Sequence, residues 1–291
     1  MFSSLSVSTV SRGLAGAASM AALVAIGVAQ AASLEEIRER GYMTVATEDN
    51  YAPFEIMEDG EPTGFSHDML AEFRDYADFE IRQEILPWQG LLASVRAGNY
   101  DMAVTGAMVS TERLRVFDFA WPTASAQNYY IKRIDDDSID GLASLDGKTV
   151  GVQAGSVLLS RLNELEAMLE ATGGELGEVV EYPAYPEIYE DLKNGRLDYA
   201  VNGIVPAESL MRSRGDEFAL GEPVTGPGFH AYPVPKGNEA LLEYVNGFIE
   251  HLYETGRLAE LQEKWFGRAF PDLPRQSITS VEELESLTAI D

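Results

Sequence analysis

The chain has 291 residues, 45% of them hydrophobic, and its formal net charge at pH 7 is −27. Such an acidic surface excludes nucleic acid and anionic membranes as partners, because like charges repel. The sequence has no cysteine, which excludes both a disulfide framework and a lipid-modified N-terminal cysteine.

The first 31 residues have the features of a cleaved signal peptide. They contain one basic residue, Arg12, and no acidic residue, and an apolar stretch of small residues runs from Leu14 to Val28. This stretch ends in Ala29-Gln30-Ala31, the small-x-small pattern of a cleavage site. Its core is shorter than the roughly 20 apolar residues that a membrane-spanning helix needs. We therefore expect cleavage after Ala31 and a periplasmic mature protein.

Helices and strands alternate along the first part of the mature chain. A helix is predicted at 34–40 and ends at Gly41. The first strand follows this helix, and a loop marked by Pro53, Gly60 and Pro62 comes after the strand. The other predicted elements in this part are strands at 42–47, 79–86 and 100–105 and helices at 67–78 and 90–97. Such alternation is typical of a parallel or mixed α/β sheet.

A second α/β unit follows. The predicted elements are an extended segment at 129–132, strands at 148–153, 179–182 and 197–201, helices at 156–172 and 185–193, and a final helix pair within 239–264. Two connecting stretches, 124–128 and 224–228, flank this unit. They imply a lobe 1 of residues 33–123 plus 229–291, a lobe 2 of residues 129–223, and a hinge of two strands. Because ligands bind beyond the carboxyl ends of the strands in open α/β sheets, we expect a closing cleft between the lobes.

Five segments resemble one known family. They are 45–54, 64–70, 101–113 with the following 117–119, 145–156, and 264–267. In this order and spacing they are similar to the amino-acid-type extracellular solute-binding proteins of ABC transporters, family 3. The resemblance implies a periplasmic-binding-protein-like α/β fold of two lobes. It also implies capture of a small carboxylate-bearing solute for an ABC transporter permease, by a monomer without a cofactor.

The resemblance implies a carboxylate site around Arg113. A permanently charged, planar guanidinium binds a carboxylate through two hydrogen bonds. Gly106 and Met108 match positions whose backbone N–H groups help to hold that carboxylate. Relatives usually carry Thr or Ser where Met108 stands, and we expect Thr105 to replace the missing hydroxyl in part.

The resemblance also assigns the walls of the cleft. Tyr51 and Trp88 match an aromatic pair that encloses the ligand in relatives, and Glu48 matches an acid near the ligand side chain. In lobe 2, Gly155-Ser156 matches a Gly-Thr helix start, and Val157 directly after it is a further ligand-binding candidate. Gln153 is a further candidate at the end of a strand. Ser156 is predicted to cap the helix at 156–172, whose free N–H groups suit an anion.

One departure from the family pattern concerns the ligand amine. Relatives that bind α-amino acids place an aspartate where Gly203 falls, and the neighbouring Asn202 is predicted to point to the other face of its strand. A buried ammonium without a counter-charge would cost several kcal/mol. Either another acid, such as Glu48, replaces the aspartate, or the ligand is atypical: a small carboxylate, a cyclic zwitterion such as an ectoine-like osmolyte, or a modified amino acid.

Two other functions fit the same fold. Some similar proteins are cyclohexadienyl dehydratases, and Glu48 or Glu187 would then supply the acid. Others are accessory or sensory periplasmic proteins that bind a protein partner. His230 is a weaker cleft candidate, and the three histidines show no spacing typical of metal ligands. The tail 268–291 extends past the last resembling segment, and we leave open whether it packs on lobe 1 or on a partner.

Overall fold

The computed structural model describes residues 31–288. All but the last residue of the predicted signal peptide lies outside this range. The helices are α1 (Leu34–Arg40), α2 (Phe65–Tyr76), α3 (Trp88–Arg96), α4 (Val157–Glu170), α5 (Tyr185–Lys193), α6 (Ile204–Arg214), α7 (Glu239–Glu254), α8 (Arg257–Phe266) and α9 (Val281–Thr288). The strands are β1 (Tyr42–Glu48), β2 (Ile56–Glu58), β3 (Glu61–Thr63), β4 (Glu80–Leu86), β5 (Met102–Ala103), β6 (Phe117–Phe119), β7 (Ala124–Ser125), β8 (Asn128–Arg133), β9 (Val150–Gln153), β10 (Val179–Tyr182), β11 (Tyr199–Gly203), β12 (Phe218–Pro223), β13 (Phe229–His230) and β14 (Pro233–Pro235).

Lobe 1 is built around a parallel sheet in the order β4-β1-β5. Its central strand β1 is buried from Val45 to Glu48, because helices and neighbouring strands cover it. On α2, Phe65, Met69 and Phe73 follow one another at four-residue spacing and are all buried. This spacing places them on one face of the helix, which packs into the lobe 1 core.

Lobe 2 is built around a five-stranded sheet in the order β10-β9-β11-β8-β12. Strand β8 is antiparallel to both of its neighbours, whereas β9 pairs in parallel with β10 and β11. Tyr185, Ile188 and Leu192 on α5 recur at helical spacing and are buried. The mixed sheet therefore has helices on its faces, as the alternation of elements predicts.

The chain crosses between the lobes twice, and the two crossings lie side by side. Strand β7 pairs antiparallel with β13, so that Ala124 lies opposite His230. Just beyond, the N–H of Ala126 donates to the carbonyl of Gly228 at 2.8 Å. This arrangement provides the two-stranded connection expected of the fold. The exact lobe and hinge boundaries stay predictions.

The segment after α8 packs on lobe 1. Ile278 is fully buried and forms an isolated bridge with Phe119 of β6. On α9, Val281, Leu284 and Leu287 pack against the same apolar cluster. The part of the tail that the structure describes is therefore an integral piece of lobe 1. Among residues 31–288, no helix has the length and apolar character needed to cross a membrane.

Candidate functional site

A narrow cavity lies between the lobes, beyond the carboxyl ends of β1 and β9. Glu48 is the last residue of β1 and Gln153 is the last residue of β9. Nine of the predicted site residues line this cavity: Glu48, Tyr51, Trp88, Gly106, Met108, Arg113, Gln153, Ser156 and Val157. Leu158 and Tyr185 complete the lining. The position agrees with the general rule that ligands of open α/β sheets bind beyond the strand ends.

Arg113 supplies the positive charge of the cavity. It opens a short 3₁₀ turn at Arg113–Arg115, and its Nη1 donates to the carbonyl of Met108 at 2.8 Å. Its guanidinium carbon lies 4.9 Å from the centre of the Trp88 ring. Burial lowers the pKa of Arg113 to about 10, so the side chain remains charged at neutral pH. Within residues 31–288, no carboxylate forms a salt bridge with Arg113, so the guanidinium is available to a ligand anion.

Glu48 and Gln153 join the lobes across the cavity. The side-chain amide of Gln153 donates to Glu48 Oε1 at 2.9 Å, and the two residues are only 2% and 3% exposed. Burial raises the pKa of Glu48 to about 8, against the opposing effects of the Gln153 hydrogen bond and the Arg113 charge. The Glu48 carboxyl is therefore mostly protonated at pH 7 and can donate as well as accept a hydrogen bond.

Two tyrosines from different lobes form an aromatic wall. Tyr51 of lobe 1 and Tyr185 of lobe 2 stack with ring centres 5.4 Å apart and an interplanar angle of 28°. The Tyr51 hydroxyl donates to Asn202 Oδ1 at 3.1 Å. Sequence reasoning missed Tyr185, although it is the first residue of α5 and comes shortly after β10. The rule for strand ends that located Gln153 identifies this position as well.

The rest of the lining is more apolar than the resemblance suggests. Met108, Val157 and Leu158 present hydrocarbon side chains to the cavity. Ser156 lies at the N-cap position of α4, but its hydroxyl makes no cap hydrogen bond there. The predicted N-cap position of Ser156 is therefore confirmed, but the side-chain hydrogen bond of a cap is not formed. The Ser156 hydroxyl is buried without a partner in the described structure, which leaves it free for a ligand.

Three predicted residues do not line the cavity. Thr105 is 1% exposed and its hydroxyl lies beside the buried carboxyl of Glu55, because the alternation of side chains along an extended segment turns it away from the cavity that Gly106 faces. It cannot replace the hydroxyl missing at position 108. Asn202 lies behind the aromatic wall, where its amide nitrogen donates to the Tyr189 hydroxyl at 2.8 Å.

Gly203 faces the hinge rather than the cavity. A Cβ at this position would lie 3.5 Å from His230 Nε2 and 3.9 Å from Asn128 Oδ1. His230 is fully buried, and its Nδ1 lies 2.8 Å from the Gly106 carbonyl. The carbonyl can only accept, so Nδ1 carries the proton. Burial lowers the pKa of His230 to about 4, and a neutral histidine therefore packs beside the position that lacks the aspartate.

The comparisons with known proteins agree with this architecture. Residues 43–268 match the sequence pattern of one family, described as "Bacterial extracellular solute-binding proteins, family 3". The chain belongs to this family. This solute-binding protein is 31% identical over 240 residues to the L-cystine-binding protein TcyJ of Escherichia coli K12, a match that covers 80% of the chain and 86% of the relative. It is 26% identical over 226 residues to the arginine-binding extracellular protein ArtP of Bacillus subtilis, covering 77% and 86%.

A solved structure of an amino-acid-binding protein has a fold similar to that of this chain. The amino acid ABC transporter substrate-binding protein AbpA of Streptococcus pneumoniae, bound to L-arginine, superposes with a TM-score of 0.69 at 26% identity. The match covers 80% of this chain and 98% of AbpA. The fold of this solute-binding protein is therefore the two-lobed fold of amino-acid-type receptors. The relatives are binding proteins by name, and their family is extracellular.

Proposed function

We propose that this solute-binding protein captures a small carboxylate-bearing metabolite in the periplasm and presents it to an ABC permease as a monomer. The observation that carries the proposal is Arg113, a half-buried cation that forms no salt bridge with any carboxylate of residues 31–288, in a cavity to which both lobes contribute. A ligand carboxylate would complete its hydrogen bonds. Closure on the ligand would then change the outer surface that a permease contacts.

The ligand we propose is not an ordinary α-amino acid. Position 203, where relatives place an aspartate, holds a glycine that faces the hinge, and the cavity lining adds apolar groups at Met108 and Val157. Glu48 is the one acidic residue among the lining residues of the described structure, and its raised pKa of about 8 weakens it as a counter-ion for an ammonium. A small carboxylate, a cyclic zwitterion or a modified amino acid fits these groups better.

Thermal unfolding of the mature chain against a ligand panel tests the proposal. The protein is stripped by unfolding and refolding, and the panel contains L-arginine, L-cystine, L-glutamine, ectoine and small mono- and dicarboxylates. A ligand at 100 times its Kd stabilises by about 2.7 kcal/mol, which raises the midpoint by a few degrees. A shift with ordinary α-amino acids would contradict the atypical ligand. No shift with any compound would contradict a receptor and favour a protein-binding accessory role.

One observation favours an enzyme as the second candidate. A carboxyl with a pKa of about 8 in a ligand cavity, as at Glu48, is suited to donate a proton. Glu187, the other acid considered, is exposed on α5 and does not line the cavity. Incubation of concentrated protein with arogenate and prephenate decides this point, because a dehydratase would release an aromatic product. Unchanged substrate would remove this candidate.

A further inference from the structure

The two lobes also meet away from the ligand cavity, where helix α6 of lobe 2 touches the end of helix α8 of lobe 1. Arg212 on α6 extends its guanidinium to the last turn of α8. Its Nη1 donates to the carbonyl of Phe266 and its Nη2 to the carbonyl of Trp265, both at 3.1 Å. None of these three residues lines the ligand cavity. We call this meeting point the α6–α8 contact.

The end of α8 is well suited to a cation. The last four carbonyls of an α-helix have no partner within the helix, and the helix dipole places a partial negative charge there. Trp265 and Phe266 are the last two residues of α8. The planar fork of an arginine reaches two such carbonyls at once. Arg212 therefore caps a helix that belongs to the opposite lobe.

An ion pair adds a second interaction to the α6–α8 contact. Glu208 precedes Arg212 by four residues on α6, so the two side chains lie on the same face of the helix. Arg268, just past the end of α8, has its Nε 3.7 Å from Glu208 Oε2. Here lobe 1 supplies the cation and lobe 2 the acceptor, the reverse of the Arg212 bonds. One face of α6 is thus bound to the end of α8 by polar groups of both lobes.

Each side of the contact is firmly packed in its own lobe. Helix α6 buries an apolar face in lobe 2. In lobe 1, the ring of Phe266 lies 5.2 Å from that of Phe54, measured between centres, and Phe54 stacks on Tyr51 at 5.5 Å. The α6–α8 contact therefore joins lobe 2 to the same packed part of lobe 1 that carries the aromatic wall of the ligand cavity.

The contact depends on the angle between the lobes. Helix α6 begins beside the first crossing, where the N–H of Ile204 donates to the carbonyl of Gln127 at 2.8 Å. Arg212 lies eight residues further on, which is about 12 Å along the helix axis. Rotation about the crossings displaces this far end of α6 more than its beginning, and a hydrogen bond tolerates little displacement. We therefore expect the α6–α8 contact to exist only while the cleft is closed.

We propose that Arg212 and Glu208 set the balance between the open and closed forms, and thereby the ligand affinity, without touching the ligand. A contact made only in the closed form stabilises that form before any ligand arrives. Because the closed form is the one that encloses the ligand, the apparent Kd falls as the closed fraction of the free protein rises. The inference goes beyond the proposed function, since it holds for any ligand of the cavity.

The distance between two spin labels, one in each lobe, tests the inference without a ligand. The chain has no cysteine, so the labels attach only at Glu58→Cys in lobe 1 and Glu187→Cys in lobe 2, both at exposed positions. Double electron–electron resonance on the refolded mature chain then gives the distance distribution. We expect Arg212→Ala to lower the ratio of closed to open protein about 3- to 10-fold, a modest effect because Arg212 is exposed to water. Arg196→Ala is the control, because Arg196 pairs with Asp191 of its own lobe.

The conservative variant and the control define the outcomes. Arg212→Lys keeps the charge but loses the fork, so its ratio should lie between those of the parent and Arg212→Ala. Thermal unfolding shows that each variant is folded. Equal distance distributions in the Arg212→Ala and Arg196→Ala proteins would overturn the inference.

Exchange of the two charges of the ion pair tests the same contact independently. Glu208→Arg faces Arg268 with a like charge and should shift the distribution toward the open form. Adding Arg268→Glu to this variant should return the distribution toward that of the parent, because the pair is restored with its charges reversed. A double variant as open as Glu208→Arg alone would also contradict a closing contact between the lobes.

Discussion

Arg113 concentrates the recognition chemistry of the protein in one side chain. Its guanidinium contacts the Trp88 ring and the Met108 carbonyl, and these contacts fix its orientation. Charge-assisted hydrogen bonds to an oriented guanidinium are among the stronger single interactions in a binding site. A lysine keeps the charge but loses the planar fork.

We therefore expect Arg113→Lys to weaken the binding of any carboxylate ligand about 10- to 100-fold, from the loss of about 1.5–3 kcal/mol. Isothermal titration with the ligand identified by the panel measures this loss. Arg115→Lys is the matched control, because Arg115 lies exposed on the same 3₁₀ turn. Equal affinities of the two variants would show that Arg113 does not contact the ligand.

Gly106 sets the position of the aromatic wall. A Cβ there would lie 2.6 Å from Tyr51 Cδ1 and 2.8 Å from Phe54 Cδ2. Both rings are buried, so they cannot move aside without disturbing the core. This residue is glycine because the Tyr51 ring lies directly against its backbone.

Gly106→Ala is accordingly expected to lower the free energy of unfolding by about 1–3 kcal/mol through overpacking, and to weaken ligand binding. Urea denaturation measures the first effect and titration the second. Gly226→Ala serves as the control, since a Cβ at that position meets its nearest atoms at 3.8 and 3.9 Å. A Gly106→Ala protein as stable as the control would contradict the close contact.

At the scale of elements, the bounds of helices were predicted best where one face of the helix is consistently apolar. Helices α1 and α5 have the predicted bounds, and Gly41 ends α1 with a φ of 79°. The sequence analysis predicts no helix at α6, although Pro206 lies in its first turn, where proline is tolerated. The strand predicted at 100–105 is paired only at Met102–Ala103, since hydrogen-bond partners, which residue types do not reveal, decide where a strand ends.

Contacts that residue types do not reveal also limit what the sequence could predict about the site. Local motifs identified Arg113, Trp88 and Gly106, which lie within the resembling segments or next to predicted strand ends. Tyr185 and the true orientations of Thr105 and Gly203 depend on how the lobes approach each other. Tertiary packing of this kind leaves no periodic signal in the sequence. The resemblance could therefore supply positions but not the partners of their side chains.

The C-terminal segment lies beyond residues 43–268, which match the family, and is anchored on lobe 1. Ile278 is fully buried against lobe 1 and its backbone pairs with Phe119. We expect Ile278→Ala to cost about 2–5 kcal/mol of unfolding free energy. Val281→Ala, at a half-buried position of the same segment, should cost less. Chemical denaturation compares the two, and an Ile278→Ala variant no less stable than Val281→Ala would mean that the tail is not anchored there.

At the scale of the whole molecule, hydrogen bonds between polar side chains of the two lobes hold the cleft closed. The Gln153–Glu48 and Tyr51–Asn202 hydrogen bonds both cross the cleft. Glu48 is only 2% exposed in this closed arrangement, and burial is the main cause of its raised pKa. We expect opening of the cleft to expose its carboxyl to water. Asp49 raises this pKa further, while Gln153 and Arg113 lower it. Protonation of Glu48 and closure of the lobes are therefore linked.

The sign of this linkage follows from the proton balance. An open form exposes Glu48 and returns its pKa toward the ordinary value of 4.5, whereas the closed form holds it at about 8. Between these two values the closed form binds more protons, so its stability relative to the open form falls as the pH rises through this window. Above a pH of about 8, Glu48 is ionised in both forms and the dependence levels off.

We therefore expect ligand-free protein to have a smaller radius of gyration at pH 5.5 than at pH 8.5, as measured by small-angle X-ray scattering. Glu48→Gln keeps a hydrogen-bonding amide of similar size but cannot ionise, so its radius should be the same at both values. A pH dependence that persists unchanged in Glu48→Gln would assign the effect to the other acids of this highly charged surface. A wild-type radius independent of pH would mean that Glu48 keeps one protonation state whether the cleft is open or closed.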